Sequence, residues 1–158
     1  MITIKSSKTA DTRTCDASKV TKEQLLKSSE QHREDVAKGF EFFADMMTEQ
    51  AWQHDWDKLI GIDSFHSDFI TGFKEHSWWD NHRKVNRHHL LAKDGVPEDV
   101  NLIDVLDMII DCVMAGMGRS GSVYPIKIDP KVLMDAFNNT VDLLKNNVEV
   151  VKNENTNS

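Results

Sequence analysis

Cysteine is almost absent from this chain: Cys15 and Cys112 are its only two, far apart and without CxxC spacing. That excludes a disulfide framework and a thiolate zinc site, and it fits a reducing compartment. Proline and glycine are sparse as well, three and seven in 158 residues, so little in the composition interrupts long helices. No run of eighteen apolar residues occurs, and the polar start MITIKSSKTADTRT lacks the apolar centre of a signal peptide. These absences lead us to expect a cytoplasmic protein with no membrane partner. Positive charge is also in short supply. A formal net charge of −7 argues against non-specific nucleic-acid binding, because that affinity comes from clustered Lys and Arg.

What is present is a globular composition, 39% hydrophobic and 28% charged, on a chain long enough to bury a core without a metal or a disulfide. Histidine stands out: there are seven against one Tyr, all between His32 and His89.

The helical signals run through most of the length. Residues 1–20 are polar and without period, an expected flexible arm, and the tail 152–158, KNENTNS, is expected to be disordered. Between them, 21–151 reads as a single helical domain. Thr21 and Gln24 form a capping-box pattern, after which Leu25, Val36, Phe40, Phe43 and Met47 recur at helical spacing, with His32 on the same inward face. The segment AWQHDWDKLIGID has no sustained period and contains Gly61, which places His54 and Asp55 near a bend. A short helix through Phe65, Phe69 and Phe73 follows, and SWWDNHRKVNRHHLL reads as one more before the loop KDGVPED. Asn101 caps the helix LIDVLDMIIDCVMAGM, and Asp129 with Pro130 opens the last one. SVYPIKI between them is limited by Pro125 to an edge or a loop. The fold class expected is all-α.

On a helical wheel Leu102, Leu106, Ile109 and Val113 form a core stripe, and Asp104, Asp107 and Asp111 fall opposite. A solvated acidic face is one reading. Against it, no Lys or Arg occurs from Asp94 through Gly118, whereas exposed faces usually mix signs, and buried carboxylates need cationic or metal partners. Both readings stand at this point. His54 beside Asp55 adds an imidazole and a carboxylate that a helix end can turn toward one ion. With His32 and Asp111 they make a nitrogen and oxygen donor set suited to Mn, Fe, Co, Ni, Zn or Mg. Trp52, Trp56, Trp78 and Trp79 bracket the histidines, as core packing or as a ring for stacking on a base.

The order His32, then His54-Asp55, then Asp111 resembles the ligand order of HD-domain metal-dependent phosphohydrolases. More closely, HDWDK, NRHHLL and VNLIDVLDMIIDC resemble an uncharacterised family of bacteriophage and bacterial proteins, over about residues 30 to 145. The resemblance implies an HD-domain-like helical bundle with His32, His54, Asp55 and Asp111 as metal ligands, Asp107 in reserve, and Asp55 and Lys58 as catalytic residues. It also offers His82, His88 and His89 for a second metal. Arg83, Lys84 and Arg87 in the same segment are a phosphate clamp or a solvated basic turn. The expected function is a metal-dependent phosphohydrolase acting on a nucleotide or another small phosphate ester. The alternative is a non-catalytic phage-type regulatory or host-interaction protein, located in the host cytoplasm if phage-encoded. Either is compatible with a homo-oligomer. An HNH-like nuclease, suggested by NHRKVNRHH, lacks the strand pair that such a fold needs.

Overall fold

Thr21 and Gln24 exchange the two bonds of a capping box, each backbone N–H donating to the other's side chain at 3.0 and 3.2 Å. From there α1 runs unbroken over Lys22–Gln53. The computed structural model describes residues 1–9, 11–75 and 77–152, and the protein is mainly helical. The remaining helices are α2 (Trp56–Ile60), α3 (Ile62–Phe69), α4 (Ser77–Val85), α5 (Leu102–Ser120) and α6 (Pro130–Asn146). Two short strands, β1 (Ile2–Lys5) and β2 (Val148–Val151), pair in parallel with Ile2 opposite Val148. No helix among the described residues is long and apolar enough to cross a membrane.

The chain divides into two compact units, one of residues 1–45 with 143–158 and one of residues 46–142, where a single domain was expected. In the first unit the N-terminal segment differs from the expected arm. The β1–β2 ladder, the Gln31 amide on the Lys5 carbonyl (2.6 Å) and the Lys38 ammonium on the Thr3 carbonyl (2.8 Å) hold it in place. Most of the expected disordered tail, 153–158, lies outside the described residues. The expected inward face of α1 is largely open: Leu25, Val36, Phe40 and Met47 are exposed, as is His32. Helical spacing makes a face apolar, but only a packed neighbour buries it.

The second unit carries the apolar core, Leu90, Val100, Val105, Met108 and Ala136, with Leu102, Ile128 and Val132 packed around it. Asn101 caps α5 through a capping box with Asp104, and Gly121 ends it in the left-handed region (φ 68°). Leu102 N–H donates to Thr140 Oγ1 at 2.8 Å, which ties the start of α5 to α6. The segment 122–129 is a loop, as Pro125 requires.

The structure corrects two expectations here. Asp104 and Asp107 are buried beside Val105 and Met108, whereas Leu106 and Ile109, assigned to the core stripe, are 39% exposed. The wheel ranks faces by polarity and cannot see partners. Asp104 is taken inside by Arg87, whose guanidinium donates twice to its carboxylate (2.7 and 2.9 Å). Second, α4 stops at Val85 and does not continue through NRHH. The Asn86 side chain donates back to the His82 carbonyl at 3.1 Å and to Asp57 Oδ1 at 2.8 Å, giving the backbone a non-helical alternative. The turn that follows folds tightly on Gly95, where a Cβ would stand 2.5 Å from the His89 carbonyl oxygen.

Candidate metal centre

His54 N–H makes the last bond of the α1 spiral, to the Gln50 carbonyl at 2.9 Å. Asp55 then adopts the left-handed conformation, φ 54° and ψ 22°. Aspartate tolerates that region better than most residues, and Asn86 Oδ1 secures it by accepting the Asp55 N–H at 3.0 Å. This one residue reverses the chain enough for neighbouring side chains to converge, with His54 Nε2 3.5 Å from Asp55 Oδ2. His82 arrives from α4, and His88 and His89 from the turn beyond it. Their approach to Asp55 Oδ1 is 3.3 Å for His82 Nε2 and 3.7 Å for His88 Nε2. Donor atoms of Asp55, His82, His88 and His89 all lie within 4.8 Å of one another. Those of His54, His88 and Asp107 meet the same limit, so His88 belongs to both groups.

Two features mark this as more than a polar cluster. Asp55 Oδ1, His82 Nε2 and His89 Nε2 are buried and have no hydrogen-bond partner, while His88 Nδ1 faces Asp107 Oδ2 at 3.5 Å. Buried polar atoms are nearly always satisfied, so several orphans converging on one spot call for a missing partner. Their spacing suits an ion: ligands held at about 2.0–2.2 Å stand roughly 3 to 3.5 Å from each other. Behind the donors is an orienting layer. His82 Nδ1 meets both oxygens of buried Asp57 (3.0 and 2.9 Å), and His54 Nδ1 meets Asp107 Oδ1 at 2.7 Å. In each case Nδ1–H donates to the carboxylate and Nε2 is left toward Asp55, the arrangement found behind metal-ligating histidines. Gln50 supports Asp107 by donating to Oδ2 at 2.7 Å. Trp78 stacks on His82 at 4.5 Å and Trp79 lies 5.4 Å from the same ring, so both pack against the centre.

The titration of the groups follows this layout. Burial pushes the His82 imidazolium below its usual range despite Asp57, and burial together with the neighbouring His88 and His82 pushes His89 down to about 3. His54 is raised to about 10, chiefly by its bond to Asp107 and then by Asp55, with burial working against both. Burial opposes ionisation of Asp55 and Asp107, yet both stay well below the usual carboxylate range, held there by His54 with Lys58 and by His54 with His88 and Gln50 respectively. Neutral imidazoles beside ionised carboxylates are the protonation states that a divalent cation requires.

The structure brings together His54, Asp55, His82, His88 and His89 of the expected residues, with Lys58 paired to Asp55 Oδ2 at the edge. It does not bring in His32, which belongs to the other unit and lines an apolar pocket with Ile2, Val36 and Phe40. Asp111 is half-buried, its Oδ1 3.7 Å from His54 Nε2, and it lies outside both donor groups. The reserve residue Asp107, one turn earlier, is inside one of them. The basic segment, expected as a phosphate clamp or a solvated basic turn, pairs with acids: Arg83 with Asp80 and Asp94, and Arg87 with Asp99 and Asp104. His66 and Trp52 are exposed, and His76 lies outside the described residues.

Asp57, Asn86 and Gln50 were not foreseen. Asp57 and His82 are twenty-five residues apart, and nothing in their local spacing announces the pair. Asn86, inside the NRHH segment, was the one with a signal. No protein-family model, curated protein or solved structure matches this chain.

Proposed function

We propose that this chain is a metal-dependent phosphohydrolase that holds a divalent ion (Mn, Fe, Co, Ni, Zn or Mg) at Asp55, His82, His88 and His89 and cleaves a small phosphate ester. The observation that carries the reading is the convergence of three orphaned, buried donor atoms, Asp55 Oδ1, His82 Nε2 and His89 Nε2, with His88 Nε2 3.7 Å from the first of them, backed by the Asp57–His82 and Asp107–His54 pairs. An ion bound there would lower the pKa of a water and polarise a phosphoryl oxygen. The chain's own groups supply the rest. Asp57 and Asp107 orient the imidazoles. Lys58, on the Asp55 carboxylate and 29% exposed, can turn its ammonium toward a phosphoryl oxygen. Asp111 stands at the open rim, 35% exposed, placed to accept a proton from water. An HD-domain-like architecture belongs to the same proposal. The His-Asp bend supports it, and His32, which is in neither donor group, departs from that family's ligand set.

A second reading, a non-catalytic interaction protein, is favoured by one observation: Ile110, Met114 and Met117 of α5 are more than half exposed. Turnover separates the two. Elemental analysis of purified protein should find a stoichiometric transition metal or Mg, and Mn- or Co-loaded protein should hydrolyse an aryl phosphate. His82→Ala and Asp55→Asn should lose both. Full metal occupancy with no turnover on any phosphate ester favours the interaction protein, and absence of metal uptake removes the hydrolase.

A further inference from the structure

Beside the centre is a cavity of about 290 Å³, one wall of which is His54, Asp107 and Asp111. Its other walls are Met47 and Ala51 from the end of α1 and Ile103, Leu106, Ile110 and Met114 from α5. The α5 residues recur at three- and four-residue intervals, so the carboxylates that face the centre and the apolar groups that face the cavity share one strip of helix. Neither Lys nor Arg lines it, and the one neutral amide, Gln50, already donates to Asp107.

We propose that this cavity receives an uncharged alkyl or aryl substituent of the substrate whose phosphoryl group sits at the metal. The inference rests on the metal-centre reading above and narrows it. A chain of phosphates is unsuited to these walls, because they offer two carboxylates and no Lys or Arg, the His54 imidazole is engaged by Asp107, and Arg83 and Arg87 are held by their own acids. The hydroxyls of a ribose next to the phosphoryl group would meet methionine, leucine and isoleucine side chains, with no free donor to replace water. An apolar ester group meets neither penalty. It fills a space that otherwise holds roughly ten waters against hydrocarbon. The substrate class is therefore a phosphate monoester of an apolar alcohol rather than a nucleoside polyphosphate.

The test is equilibrium binding of methyl-, propyl- and pentylphosphonate to the Mn-loaded full chain. Affinity should rise roughly four-fold per added methylene, the fold-change that corresponds to burying a methylene at about 0.8 kcal/mol. Two substitutions at exposed positions interrogate the cavity: Ala51→Trp fills it, and Met114→Glu charges its mouth, Met114 being 68% exposed. Both should abolish the chain-length dependence while leaving metal content unchanged. Equal affinity for all three phosphonates, or a chain-length dependence undiminished in both variants, overturns the proposal. Pentanol separates this failure from failure of the metal reading. If no phosphonate binds but pentanol still shifts the Met114 methyl resonance in the parent, and not that of Ile110 in Ala51→Trp, the metal anchor is what fails and the apolar cavity is retained.

Discussion

Two imidazole–carboxylate pairs serve the centre, and they differ in one physical respect. His82 on Asp57 is fully buried under Trp78, whereas His54 on Asp107 keeps 26% of its side chain exposed toward the α5 cavity. The partner chemistry is the same, yet His82 is pushed below its ordinary range and His54 is raised to about 10. Where burial dominates, the imidazole is neutral and ready to ligate. Where the carboxylate bonds dominate, it carries a proton that an ion must displace. If an ion binds as proposed, the first pair presents a ligand ready-made and the second couples binding to pH.

The largest effect should come from breaking the buried pair. His82→Ala leaves Asp57 buried with only Asn86 as a side-chain partner, which should destabilise the protein by roughly 3–5 kcal/mol in urea unfolding. It should also abolish metal retention. Asp57→Asn, which keeps the shape but not the charge, should weaken metal affinity by about 10- to 100-fold. Unchanged affinity would mean that His82 is a core residue and not a ligand.

Next comes Arg87, expected in either a phosphate clamp or a solvated basic turn. Arg87→Ala strips the partner from Asp104, a residue 1% exposed, and should cost roughly 1.5–3 kcal/mol while leaving metal content and phosphonate affinity unchanged. A selective loss of phosphonate binding would restore the clamp.

The contrast in titration gives a pH signature. In chelated protein the raised His54 stabilises the fold fully below its unfolded pKa of about 6.5, and that contribution is lost as pH rises through about 10. Thermal melts from pH 7 to 10 should therefore show a decline that is missing in His54→Gln. An ion bound at Asp55 would lie close to His54, whose Nε2 is 3.5 Å from Asp55 Oδ2, so metal uptake should also release about one proton near pH 7.5, seen as buffer-dependent heats in calorimetry. If the heats do not depend on the buffer, the ion is held by the buried pair's side alone.

The smallest effect is expected at the exposed His32, where His32→Ala should change stability by less than about 0.5 kcal/mol and leave metal content intact. Loss of metal in that variant would return it to the ligand set.

Much of the fold was legible in the sequence because local rules decide it. The capping box at Thr21, the N-cap at Asn101 and the loop around Pro125 depend on residues within a few positions of each other. The clustering of histidine, and the absence of any Lys or Arg between Asp94 and Gly118, pointed to a site where imidazole and carboxylate meet. Partner choice was not legible. Asp104 reads the same on a wheel whether it faces water or Arg87, and Asp107 and Asp111 are chemically identical one turn apart. Asp57 joins His82 across twenty-five residues, and His32 occupies a helix face as apolar as any other. Those outcomes rest on which surfaces pack and on a left-handed turn at one aspartate, energies that arise between segments and not within them.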